Sequence, residues 1–221
     1  DSPPAVSITV ASLGGLGDGI ADFGGKPLFI PKSCVGDRLE VRVVHETKEA
    51  RRGDIVSVIT PGPDRVEPPC PHFSDCGGCS LQQLSPDAYR QFKQRMVRDA
   101  LTHAGYGDIE TDILFLPAAS RRRVEFKWQG ERLAYFAARS RDLVPVDHCL
   151  ILEPALAELM TLLPQALAKL PHADAIRTIS LTAADNGIDL MLGIHQKPFP
   201  DNTSLQALAE KLALARVSVL L

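Results

Sequence analysis

The residues of this chain best suited to chemistry are cysteines. The stretch CPHFSDCGGCSLQQL, residues 70 to 84, holds Cys70, Cys76 and Cys79, and Cys149 stands apart in VPVDHCLIL. The intervals between the four are five, two and sixty-nine residues. Thiolates are soft ligands, and a set of four suits zinc or an iron–sulfur cluster. Structural zinc usually takes two pairs, each bracketing a short turn, whereas these ligands divide three and one. That division favours a loop wound around a cluster. Gly77 and Gly78 let the backbone pass close to such a group and turn its N–H groups toward sulfur, and Pro71 stiffens the entry. Zinc and unmetallated thiols stay open on spacing alone. His72 and His148 each lie beside a cysteine, so a mixed cysteine and histidine zinc site is a variant, although such neighbours usually serve as hydrogen-bonding partners. Disulfides are disfavoured in a chain that reads as cytoplasmic, where thiols stay reduced. Cys34, in IPKSCVGD, reads as a spectator.

The second candidate chemistry is electrostatic. With 24 basic and 27 acidic residues the net charge is −3, which gives no bulk attraction to nucleic acid. Any such role must come from clusters. SRRRVEFKW, residues 120 to 128, sets Arg121, Arg122, Arg123 and Lys127 beside Phe126 and Trp128, and YRQFKQRMVR carries four more cations. A charge run is more often a solvated face than a binding site. No run of about 18 apolar residues could span a bilayer, and the first residues lack the basic and apolar regions of a signal peptide, so no membrane partner is expected and the chain is placed in the cytoplasm.

These residues need elements to position them. Residues 5 to 66 read as short strands broken by glycine and proline. In DRLEVRVV, Leu39, Val41 and Val43 alternate with charged residues, the period of a half-buried strand, and VSITV, KPLFIP and DIVSVIT are similar. Their spacing suggests a small β-barrel, and the glycine stretch GGLGDGIADF reads as one of its hairpins because no helix follows it. TPGPDRVEPPCP concentrates five prolines in twelve residues and marks a stiff linker. Ser85 can cap a helix that opens with Pro86 and runs to Gly105. Strands follow around RRVEFKWQG, RLAYFAARS and DLVPVDHC. A helix at 153–169 is interrupted by Pro164, where a bend or division is expected. Two further strands, AIRTISLTAA and IDLMLGIH, join through the hairpin turn DNG. TSLQALAEKLAL is a last helix, and ARVSVLL begins a strand with no evident partner.

Several of these segments carry a family resemblance. GLGDGIADFGGKPLFIPKSCVGDRLEVRVV looks like a TRAM domain, a small RNA-binding barrel. DRVEPPCPHFSDCGGCSLQQLS closely resembles the cluster loop of the bacterial RNA uracil-5-methyltransferases, which act on 23S rRNA or tRNA, and VPVDHCLILEPAL resembles their fourth-cysteine segment. The resemblance spans nearly the whole chain. It implies a four-iron, four-sulfur (4Fe–4S) cluster on Cys70, Cys76, Cys79 and Cys149, RNA rather than DNA as partner, and S-adenosylmethionine as methyl donor. Lys26, Arg121, Arg122, Arg123 and Lys127 are the candidate RNA contacts. Two departures stand out: Ser120 replaces the family's Tyr before the arginine strand, and HETKEARRGD is less basic than the usual loop.

The implied chemistry adds an enzyme thiolate to carbon 6 of uracil, methylates carbon 5 and removes its proton by a general base. The resemblance places those groups in a C-terminal Rossmann-like domain. The residues after Cys149 number fewer than the roughly 100 to 150 of an ordinary domain. The fold class expected is therefore α+β: an OB-like TRAM barrel at 1–66, a cluster loop at 67–85 and a truncated central domain at 86–221. The Rossmann-like domain, with its S-adenosylmethionine site, is expected to be absent, and no catalytic residue is assigned. The cluster is expected to be structural, since methylation at carbon 5 needs no electron transfer. A non-catalytic RNA-binding module and an iron–sulfur redox sensor are the competing functions.

Overall fold

The computed structural model describes residues 4–107, 109–195, 198 and 200–221. Its contacts divide the chain into two units, Asp1–Phe73 with Cys79–Leu114, and Ser74–Gly78 with Phe115–Leu221. The helix after the cysteine loop thus groups with the barrel rather than with the residues beyond 115, and five loop residues group with the second unit.

The first unit is built on strands β1 (Val6–Thr9), β2 (Ser12–Leu13), β3 (Gly19–Phe23), β4 (Lys26–Ile30), β5 (Arg38–Glu46) and β6 (Arg51–Thr60), in the order β1-β5-β6-β4-β3-β2. Only Val10 and Ala11 separate β1 from β2, yet β1 pairs with β5 at one edge and β2 with β3 at the other. One bent strand therefore serves both edges and closes the sheet into a barrel, which removes the exposed edges an open sheet would have. The alternating residues Leu39 and Val41 point inward and join Ile8, Val10, Leu28 and Ile30 in its core. Gly53 is required where β5 and β6 cross closely, since a Cβ there would stand 2.3 Å from a Val41 methyl. Helix α1 (Pro86–His103) opens as its sequence dictates, with Ser85 accepting a hydrogen bond from Ala88 N–H at 3.3 Å and Pro86 at the first position, and it buries Phe92.

The second unit is a mixed sheet of β7 (Arg123–Gln129), β8 (Arg132–Phe136), β9 (Leu143–Pro145), β10 (Ile176–Ala184), β11 (Gly187–Ile194) and β12 (Arg216–Leu220), ordered β12-β11-β10-β7-β8-β9. One face carries Val124, Phe126, Trp128, Ile179, Leu181, Leu190 and Leu192, and helices α2 (Pro154–Leu167) and α3 (Asn202–Lys211) contribute Leu156, Leu163 and Leu208 to the same core. The strand that lacked an evident partner, β12, pairs in parallel with β11. Parallel neighbours need a crossover, and α3 supplies it. Pro164 does not divide α2: the helix runs through it, with Ala168 N–H donating to the Pro164 carbonyl at 3.0 Å. Proline removes one backbone bond, and the buried stripe of Leu156, Leu159, Met160, Leu163 and Leu167 outweighs that loss. Among the described residues, no helix is long and apolar enough to cross a membrane.

Candidate functional site

The cysteine loop is closed at its base by the first unit. Val66 N–H donates to the Gln83 carbonyl at 2.9 Å and Ser85 N–H to the Asp64 carbonyl at 2.8 Å, while Arg65 bridges Leu84. The closing strip is pinned to the barrel by Asp37, which is fully buried. Its carboxylate accepts from Arg65 Nε at 2.9 Å and Arg65 Nη2 at 2.7 Å, from Gly62 N–H at 2.8 Å and from Cys34 N–H at 2.5 Å. Burial works to raise the Asp37 carboxyl, but Arg65 and the two backbone N–H groups outweigh it and hold it below its ordinary value. Gln83, also fully buried, donates from Nε2 to the Ser33 carbonyl at 3.1 Å. The prolines of the linker make it stiff, and this network fixes where it goes.

Cys34 belongs to the same base. Its thiol is buried and donates to the Gln83 carbonyl at 3.3 Å, and burial pushes it up to about 11. A neutral, enclosed thiol is inert, in keeping with a spectator. The other four cysteines are partly exposed, and none is in a disulfide. Cys70 and Cys79 belong to the first unit, Cys76 and Cys149 to the second.

In the first unit, Cys70 N–H donates to Gln82 Oε1 at 3.3 Å. Phe73 is buried, and Lys32 holds it twice, donating to its carbonyl at 2.6 Å and lying 5.0 Å over its ring.

In the second unit, Cys76 bridges Ala137 just past β8, and Gly77 N–H donates to the Phe136 carbonyl at 2.9 Å. A Cβ on Gly77 would come within 2.7 Å of that same oxygen, so only glycine permits the approach. Gly78 N–H points at Cys76 Sγ from 3.3 Å. Cys149 and Tyr135 each pack, partly buried, against the sheet core. Burial first, then the negative charges of Cys149 and Cys76, hold the Tyr135 hydroxyl well above its ordinary value. The segment after Cys149 is itself anchored, with Arg121 N–H donating to the Ile151 carbonyl at 2.9 Å and Glu153 N–H to the Arg121 carbonyl at 3.1 Å.

Partly exposed thiols are soft donors suited to a metal, and Cys76 has a backbone N–H aimed at its sulfur. Asp37 and Arg65 escaped the sequence reading, since charged residues flanking turns usually face water.

The basic candidates do not form one group. Arg121, Arg122, Arg123 and Lys127 gather at and along β7 in the second unit, whereas Lys26 lies in the first, paired with Glu46 at 2.9 Å. Arg123 and Lys127 share the face of β7 opposite Phe126, beside the hydroxyls of Thr182 and Thr178 on β10. Lys127 is paired with Glu125 at 2.6 Å and lies 5.3 Å over the Phe136 ring. Arg122 is held by Asp185 at 2.8 Å and Glu153 at 3.5 Å, and the Asp185 hydrogen bond keeps its guanidinium firmly charged. Arg121 and Arg123 are exposed and carry no carboxylate partner among the described residues.

No protein-family model matches the chain. In sequence it is 36% identical over 202 residues to an uncharacterized RNA methyltransferase of Caulobacter vibrioides, covering 86% of this chain and 47% of that protein. It is 32% identical over 195 residues to the 23S rRNA (uracil(1939)-C(5))-methyltransferase RlmD of Pectobacterium atrosepticum, covering 85% and 43%. The same-named enzyme of Shewanella frigidimarina is 31% identical over 219 residues, covering 93% and 48%. The chain thus spans about half the length of the curated relatives it matches. Among solved structures, the tRNA (uracil-54, C5)-methyltransferase of Pyrococcus abyssi, in complex with S-adenosyl-L-homocysteine, matches with a TM-score of 0.65 at 18% identity over 89% of this chain and 48% of that one.

That likeness corrects the expected fold class, an α+β chain from which the Rossmann-like methyltransferase domain is absent. Most of the chain shares its fold with a methyltransferase, and its mixed sheet already contains a β–α–β crossover through β11, α3 and β12, the unit from which Rossmann-like sheets are built. Counting residues after Cys149 misled because length measures no fold. In sequence the chain is similar to RNA methyltransferases and in fold to one of them, over more than four-fifths of its own length.

Proposed function

We propose that the chain serves an S-adenosylmethionine-dependent methyltransferase acting on carbon 5 of uracil in RNA, in the cytoplasm. The observation that carries this reading is the sequence similarity to RNA uracil methyltransferases along 82% to 93% of the chain, supported by the shared fold. S-adenosylmethionine would supply the methyl group. Within that reading Cys70, Cys76, Cys79 and Cys149 hold a 4Fe–4S cluster with a structural role. The barrel at 1–66 is a TRAM-like RNA-binding domain, followed by the cluster loop at 67–85 and a central domain at 86–221.

Arg121, Arg122, Arg123 and Lys127 contact phosphates along β7, and Lys26 contacts RNA from the barrel. Of these, Arg121 and Arg123 have the fewest partners to give up on binding. Arg122 and Lys127 must exchange one carboxylate for another anion, so their share in affinity is smaller.

The test uses tritiated S-adenosylmethionine with transcribed 23S rRNA and tRNA, assayed on this chain and on the full open reading frame that contains it. Label recovered as 5-methyluridine from either protein is expected. Label on another base, or none from either, would sink the proposal. Filter binding at two salt concentrations addresses the contacts separately. Arg123→Ala should weaken binding on every sequence and flatten the salt dependence by about one counterion.

A further inference from the structure

An apolar cavity with a few fixed polar groups at its rim is a natural place for a ligand. The barrel has one at the end where β1 begins and β3 ends. Its volume is about 430 Å³, and Val6, Phe23, Val43 and the exposed Val44 give it apolar walls. Val6, Phe23 and Val43 also pack on the barrel core, which fixes the shape of the cavity. The polar groups are held in place too. Arg51 lies 5.1 Å over the Phe23 ring, donates from Nη1 to the Phe23 carbonyl and pairs through Nη2 with Glu46 Oε1 at 3.0 Å. Lys26 Nζ reaches the same Oε1 at 2.9 Å. Both cations therefore crowd one carboxylate oxygen, and Oε2 has no partner among the described residues. Lys26 first, then Arg51, hold the Glu46 carboxyl below its ordinary value, so it stays an acceptor. His45 lines the cavity as well, and its cross-strand partner is Arg52. Arg52 Nε is buried without an acceptor, an unmet donor beside the rim.

We propose that this cavity holds one unstacked base of a single-stranded RNA, with Glu46 Oε2 accepting an amino proton of the base and Arg52 binding a phosphate beside it. The proposal rests on the RNA-binding reading of the barrel and goes beyond it, since cations alone would bind RNA with no base enclosed. A base is flat, and aromatic rings and guanidinium planes are the surfaces on which bases stack. Phe23 and Arg51, tied to each other, form such a wall. Lys26, Arg51 and Arg52 outnumber Glu46 around this rim, which suits a polyanion; an aliphatic side chain of a protein would leave them without a counterpart. Arg52 stands one strand over from His45, about 4.8 Å away, the scale on which a nucleotide separates base from phosphate. Cytosine, adenine and guanine carry an exocyclic amino group, whereas uracil flanks its one N–H with carbonyl oxygens that a carboxylate repels. The cavity therefore takes a neighbour of the methylated uridine, not the uridine itself.

The experiment measures fluorescence anisotropy of the whole chain with labelled seven-nucleotide RNAs, uridines flanking a central cytidine, adenosine, guanosine, uridine or abasic site. At least one amino-bearing centre is expected to bind about tenfold tighter than the uridine and abasic centres, the order of one stacked base. That comparison is made on the unaltered protein and so does not depend on a variant's folding. Val44→Trp, which fills the cavity from its exposed rim, should abolish the difference. Glu46→Gln should narrow it, because an amide can also donate to the O4 of uracil. Ultraviolet crosslinking of an RNA centred on 5-iodocytidine should mark Phe23 or His45. Equal affinities for all the centres, no binding of any, a preference for uridine, or crosslinks only outside the cavity would each overturn the proposal. The RNA reading stands in those cases if transcribed 23S rRNA or tRNA still binds. A chain that binds none of these RNAs overturns that reading, and this proposal with it.

Discussion

The base of the cysteine loop and its tip are held in opposite ways. At the base, Asp37 accepts four hydrogen bonds, Gln83 and Cys34 are buried, and the backbone strips around Asp64 and Gln83 pair with each other. The polypeptide satisfies that region by itself. At the tip, from Cys70 to Ser80, Phe73 is the one buried residue, and the four partly exposed sulfurs lie in or near this segment or at Cys149. A loop with so little core has little apolar burial to order it, and the proposed metal would supply what burial does not. The contrast separates what a buried ion pair does from what a metal would do: the first fixes where the loop starts, the second would fix its ligands.

Breaking the base should have the largest effect. Asp37→Ala leaves Arg65 charged and half-enclosed without its carboxylate, only the Lys32 carbonyl still accepting from its Nη2 at 2.9 Å, and a loss of about 3–5 kcal/mol is expected in urea unfolding. A loss below about 1 kcal/mol would show that the network is ornamental and erase the contrast.

At the tip, Cys76→Ser should lower the melting temperature of iron-loaded protein and leave iron-free protein unchanged, because metal-binding energy enters folding only when metal is bound. Equal effects on loaded and stripped protein would mean that Cys76 matters as packing, not as a ligand.

Acid sharpens the comparison further. Asp37 has a folded value below its unfolded value of about 3.9, so the stability it contributes is fully present above that pH and is lost as pH falls toward the folded value. Urea midpoints measured from pH 6 to pH 3 should drop in the wild type, and Asp37→Asn should remove part of that slope.

The smallest effect concerns Cys34. With its thiol pushed up to about 11, its alkylation at pH 7 in iron-free protein should run at least roughly a hundredfold slower than that of an ordinary exposed cysteine. Mass spectrometry after a short iodoacetamide pulse reads this directly, and comparable labelling at Cys34 and Cys79 would contradict it.

The strand alternation of Leu39 and Val41, the Ser85–Pro86 helix start and the cysteine spacing could all be read along the chain because each depends on neighbours within a few residues. Local periodicity and capping are properties of the backbone itself. Pro164 shows the limit of such rules: its local cost was legible, but the packing of Leu156, Leu163 and Leu167 that overrides it is a tertiary quantity. The sites divide in the same way. Which cysteines are candidate ligands is a matter of residue type and order. That Cys34 is walled off while Cys149 stays partly exposed depends on which side chains the fold brings together.

By itself the sequence determined the elements, the ligand types and their order, since those follow from short-range sterics and from the chemistry of single side chains. Only the tertiary structure decided that the barrel closes through one bent strand, that β12 joins its sheet in parallel, and that Asp37 grips the linker. Each of these joins residues far apart in the chain, and their energies come from burial and paired charge, which exist only once the chain is folded.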